Sequence, residues 1–157
     1  MKQPVFKLSS LLLVVLVCSA FKAQAAPVDQ NLDKDGVAIH GYDPVAYFSN
    51  SQPTPGDAKY TAIHNGATYR FSSSANRDTF RVSPDKYSPQ FGGFCAYGVA
   101  VRKKLDGDPQ AWRIVEGKLY LNLNPDVQKK WLDDVPGNLG KANENWPKIK
   151  NTSASQL

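Results

Sequence analysis

The sequence is 157 residues long, carries 19 Lys and Arg against 14 Asp and Glu, and has a formal net charge of +5 at pH 7. Three of those bases, Lys2, Lys7 and Lys22, fall in the leader described next, which leaves +2 for the rest of the chain. The one basic run, Arg102-Lys103-Lys104, is followed at once by Asp106 and Asp108; it reads as a solvated loop, and the dense basic face that nucleic-acid binding needs is excluded.

The leader opens with Lys2 and Lys7, and "LSSLLLVVLVCSA" is then almost wholly apolar up to Lys22 and Ala23-Gln24-Ala25. That pattern is a secretory signal peptide, residues 1–25, with an A-x-A cleavage site. Its apolar run of roughly 13 residues is too short for a spanning helix, which needs about 20, and no later stretch supplies a membrane span. Cys18 follows Val17, where a lipidation signal wants a small residue. Cleavage after Ala25 leaves an exported domain of about 132 residues, periplasmic or secreted, within the usual size of one domain.

Residues 26–36 read as a mobile lead. In "GVAIHGYDPVAYF" residues 37–40 are expected as a strand feeding a helix, with Asp43 as its cap and Pro44 at its first position. The polar segment "SNSQPTPGDA" is a loop, and "KYTAIHNGATYRF" is a hairpin, because Asn65-Gly66 supplies the positive backbone angles of a two-residue turn. Ser73 or Ser74 caps a short helix ending near Val82, where Pro84 stops it. Residues 87–101 fit neither the helical nor the strand period. "AWRIVEGKLYLN" is a second hairpin turning at Glu116-Gly117. Asn124 caps a helix opened by Pro125, with Val127 and Trp131 on one face and Val135-Pro136-Gly137 ending it. A short helix over 139–146 and a disordered tail, 148–157, complete the chain. The expected fold is therefore α+β: a small single domain, 37–147, with two β-hairpins and several short helices.

The chemistry is narrow. There is no C-x-x-C pair, H-E-x-x-H, phosphate loop or G-x-S-x-G elbow, and only His40 and His64 represent histidine. Once the leader is removed, Cys95 is the single thiol, in the stretch "QFGGFCAYGVA". An unpaired cysteine in an oxidising compartment pairs between chains, reacts or binds metal; equally, free cysteine often serves as a small apolar core residue. Gly92 and Gly93 let the backbone before the thiol adopt unusual angles and approach a ligand or another segment closely. Tyr42, Tyr47, Phe48, Tyr87, Phe91, Phe94 and Tyr97 flank the Gly-rich segments and are expected as core or as the wall of a ligand pocket, with Asp43, Gly92 and Gly93 beside them.

The ordered motifs "GYDPVAYF", "KYTAIHNGATYRFSSSANRDTF", "PDKY", "GGFCA", "DPQAWRIVEGKLYLN" and "NWP" resemble the exported branch of the YHS domain-containing proteins, over roughly residues 37–147. The resemblance implies kinship to small metal-binding modules in which two cysteines follow the hairpin in an F-C-S-x-x-C pattern. Here those positions are Ser72 and Asn76, poor ligands for a soft metal, and the Tyr-His-Ser tripeptide is absent. Some members of this branch are selenoproteins, and a selenocysteine matching Cys95 would imply reactivity there. Three readings follow. The first is copper or zinc binding through Cys95, with His40 and His64 as the other candidate ligands; a complete site would need a backbone or Tyr donor, an exogenous ligand, or a second copy of the chain in a homodimer. The second is a thiol-based redox protein with Cys95 as its catalytic residue. The third is a non-catalytic module that binds a small molecule or a partner. Kinship places metal first, although the ligands do not match.

Overall fold

The computed structural model describes residues 28–157; the expected signal peptide, Cys18 and the cleavage site lie outside the described residues. The fold is α+β, with six helices and two separate two-stranded antiparallel sheets among the described residues. No helix of the described residues is long and apolar enough to cross a membrane.

The first hairpin joins β1 (Asp57–His64) to β2 (Ala67–Phe71) through Asn65 and Gly66, whose φ angles are 50° and 77°. The second joins β3 (Asp108–Val115) to β4 (Lys118–Asn122) through Glu116 and Gly117, at 50° and 72°. Both turns meet the expectation, because two consecutive positive φ values match the twist of the flanking strands. The helices are α1 (Ala46–Ser49), α2 (Ser74–Val82), α3 (Pro84–Tyr87), α4 (Ala96–Ala100), α5 (Pro125–Asp133) and α6 (Val135–Ile149).

Side-chain caps set the helix starts. The Ser73 hydroxyl accepts from Asn76 N–H at 3.1 Å, the Asn124 amide oxygen from Val127 N–H at 2.9 Å, and the Asp134 carboxylate from Gly137 N–H at 2.9 Å. Each satisfies an N–H that the first helical turn would otherwise leave unpaired.

Three local expectations are corrected. Residues 37–40 form no strand: Val37 and Ala38 make isolated bridges to Thr68 and Leu32, and Ile39 to Gly41 turn in a 3₁₀ loop with φ of 52°, 49° and 81°. Pro84 opens α3 as well as stopping α2, and Pro136, expected to end a helix, occupies the first turn of α6, where a missing N–H costs nothing. Lys104, expected in a solvated loop, is only 5 % exposed.

Two apolar clusters hold the domain. One gathers Tyr47, Tyr69, Phe71, Phe80, Leu119 and Leu121; the other gathers Phe91, Phe94, Val99, Tyr120, Trp131 and Ile149. Cys95 forms a parallel bridge with Leu121 of β4. The residues read as a mobile lead and a disordered tail make specific contacts: Asn31 N–H donates to Gly92 O at 2.8 Å, Ile149 is buried, and Ala154–Gln156 form a 3₁₀ turn.

Candidate functional site

Cys95 is wholly buried at the N-terminal cap of α4. Its Sγ accepts from Gly98 N–H at 3.3 Å and donates its proton to Oδ1 of Asn122, 3.8 Å away, an oxygen that also accepts from Tyr97 N–H at 3.3 Å. Burial pushes the thiol pKa above its ordinary value, and the backbone N–H groups of Gly98, Leu123 and Tyr97 offset only part of that effect. A thiol that is buried and held protonated is a poor nucleophile and a poor metal anchor.

The two histidines lie elsewhere. His40 Nε2 is 3.0 Å from Asp106 Oδ1, its side chain 44 % exposed, at a shallow cavity that also includes Asp108, Pro109 and Leu123. His64 Nε2 is 2.8 Å from Asp85 Oδ1. Among the described residues no three His, Cys, Asp or Glu side chains are grouped to hold a metal ion, so Cys95, His40 and His64 do not come together as ligands. Nor do Ser72 and Asn76 offer a replacement. The Ser72 hydroxyl and the Asn76 amide both donate to Asp43 Oδ2 at 2.7 Å, and Asn76 also reaches Ser72 Oγ at 3.3 Å. The pair of positions that the resemblance assigns to cysteines thus converges, but on a carboxylate. These residues do not fit a copper or zinc centre.

The expected aromatic pocket divides in the same way. Tyr47 is wholly buried in the first cluster, Tyr42 packs against it, Phe94 lies in the second cluster, and Tyr97 packs against that one. Asp43 is wholly buried and accepts from Val45 N–H at 2.9 Å and Ala46 N–H at 3.3 Å in a turn just ahead of α1; the N-cap of that helix is Val45, not Asp43 as expected, and Pro44 lies before its first residue. Tyr47 donates its hydroxyl to Pro109 O at 3.0 Å and borders a separate groove with Phe48, Trp112 and Arg113. Gly92 and Gly93 have φ of 61° and 83°; a Cβ on Gly92 would lie 1.9 Å from Asp29 O. The close approach expected of this turn is therefore to another segment of the chain, residues 28–31.

That packing builds a different cavity. A groove of about 440 Å³ lies between the tip of the first hairpin, the turn before Cys95, the lead and α6. Trp146 supplies most of its accessible aromatic surface, with the buried Tyr69 and Phe91 behind the wall, and His64, Asp85, Asp29, Gln90, Lys118 and Lys150 its polar groups. The His64 ring packs edge-on to Phe80, with centroids 6.1 Å apart, which holds it while Asp85 fixes its Nε2. Ser88, in the same groove, donates to Pro84 O at 2.9 Å and not to His64. Burial raises the Tyr69 pKa, keeping its hydroxyl protonated.

No family model, curated protein or solved structure matches the chain. Of the candidate site residues marked in the sequence, His64, Phe91 and Gly92 line the groove. Sequence reasoning missed the rest, because they come from segments far apart in the chain. Two of them, Asp85 in "PDKY" and Trp146 in "NWP", do sit in stretches that stood out.

Proposed function

We propose that the chain is an exported YHS-like domain that binds a small polar molecule bearing a planar or aromatic face, without catalysing its conversion. The observation that carries this reading is the groove: about 440 Å³, within the range of small-molecule sites, with three aromatic residues and a few polar groups of both charge signs. Its polar groups suit a ligand with both donor and acceptor ends. The Ser88 proton is committed to Pro84, and the thiol is buried outside the groove lining, so neither nucleophile is activated for attack. Export is supported by the charged, apolar and A-x-A order of the leader.

The test is an NMR screen of the ¹⁵N-labelled protein against small aromatic acids, aromatic amines and amino acids. Shifts concentrated at His64, Gln90, Phe91, Gly92 and Lys118 are expected. A library that produces no shifts, or shifts centred on residues 94–98 around Cys95, would overturn the reading.

A further inference from the structure

We propose that Lys104 is a positioning residue, a clasp that seats residues 28–31 as a wall of the groove. The Lys104 ammonium donates to Val28 O at 2.8 Å, Lys150 O at 2.6 Å and Thr152 O at 2.6 Å. An ammonium has three donors, so all are used. The rings of Phe94 and Trp146 lie 5.2 and 5.6 Å from the nitrogen, within cation–π range. Two of the carbonyls follow the last turn of α6, where the helix dipole favours a cation.

One ammonium thus holds both sides of the groove. Val28 leads directly into Asp29 and Gln30, which line it; Lys150 and Trp146, held by the same nitrogen, line it from α6. Burial pulls the Lys104 pKa below the ordinary lysine value, and the Asp29 carboxylate, itself in the strap, opposes that pull. The remaining anchors of the strap are also polar: Asn31 N–H to Gly92 O at 2.8 Å, and the Asn31 amide to Asp106 Oδ1 at 2.6 Å and Gly93 O at 3.3 Å. Val28 is 47 % exposed, so little apolar burial holds this end. Segments tied by a few polar bonds open at a much lower free energy than the core. The clasp stands on these contacts alone; that the wall it seats meets a ligand rests on the groove reading.

Lys104→Met and Lys104→Ala test it by amide hydrogen exchange. Both variants are expected to fold, with the Asn31 amide exchanging at least about tenfold faster and the β1–β2 and β3–β4 amides changed by less than about threefold. Adding n-propylammonium, which replaces the atoms removed in Lys104→Ala, is expected to slow Asn31 exchange again, while tetramethylammonium at the same concentration is not. Unchanged Asn31 exchange, acceleration in step with the strands, failure of both variants to fold, or no rescue would each overturn the clasp. Should the exchange result hold and the NMR screen find no ligand, the groove reading fails and the clasp remains.

Discussion

Replacing Asp43 by Asn changes almost no volume yet is expected to be among the most damaging substitutions in the domain. Asp43 is wholly buried and accepts five hydrogen bonds. Oδ1 takes the N–H groups of Val45 and Ala46; Oδ2 takes the N–H and hydroxyl of Ser72 and the amide of Asn76. An Asn amide has only one acceptor atom, so its NH₂ must face two of these donors or three. Facing it toward Val45 and Ala46 is the milder choice and leaves two buried backbone donors unpaired. Each costs roughly 1–3 kcal/mol, which places the loss for Asp43→Asn near ~4 kcal/mol. At about 3 °C per kcal/mol for a domain of this size, the melting temperature falls by roughly 12 °C. Urea unfolding followed by circular dichroism reads the loss as a lower midpoint at unchanged slope. Ser72→Ala, which removes one of the five donors, serves as the scale and should cost about 1–2 kcal/mol. A loss below about 1 kcal/mol for Asp43→Asn would refute the idea that this carboxylate ties α1 to the start of α2.

Three further outcomes are expected. Iodoacetamide should modify Cys95 at least roughly 100-fold more slowly in the native protein than in urea, since a buried, protonated thiol reacts only through opening; Cys95→Ser, whose hydroxyl also caps α4, should change stability by less than about 1 kcal/mol. For Asp106, burial acts to raise the pKa, but hydrogen bonds from Asn31 and His40 outweigh it, so the folded value lies below the ordinary 3.8. Its folded form binds fewer protons than the unfolded one, so the stabilisation is complete above that ordinary value and is lost as pH falls through the folded value; protection of the Asn31 amide, taken relative to its intrinsic exchange rate, should fall over that acid range in the wild type and not in Asp106→Asn. Gly92→Ala should destabilise by more than about 1 kcal/mol, because its φ is 61° and the new Cβ would meet Asp29 O at 1.9 Å; calorimetry reads the loss.

Much of the frame is visible in local chemistry. Asn65-Gly66, Glu116-Gly117, Ser73 and Asn124 each act within a few residues, so the hairpins and the starts of α2 and α5 could be placed from sequence. Residues 37–40 misled because an apolar run before Gly41 satisfies the strand pattern, while tertiary contact with Thr68 and Leu32 bends it into bridges and a turn. Lys104 misled because a charge run is ordinarily solvated; its partners, Val28, Lys150 and Thr152, lie 46 to 76 residues away and carry no side-chain signal. Cys95 drew attention as the single thiol, and the stretch around it is indeed unusual. The unusual feature, however, is the approach of residues 28–31 to Gly92, not exposure of sulfur. The groove was hidden for the same reason: its lining residues come from segments that share no motif and meet only when the lead and α6 fold together.

Binding in the groove is tested most directly by the affinity of the strongest ligand from the NMR screen, measured by calorimetry on the wild type, Trp146→Ala and Cys95→Ser. A loss of at least about tenfold is expected in Trp146→Ala, from the stacking surface removed, and no more than about twofold in Cys95→Ser. Binding abolished by Cys95→Ser and unchanged by Trp146→Ala would contradict it and return the function to the thiol.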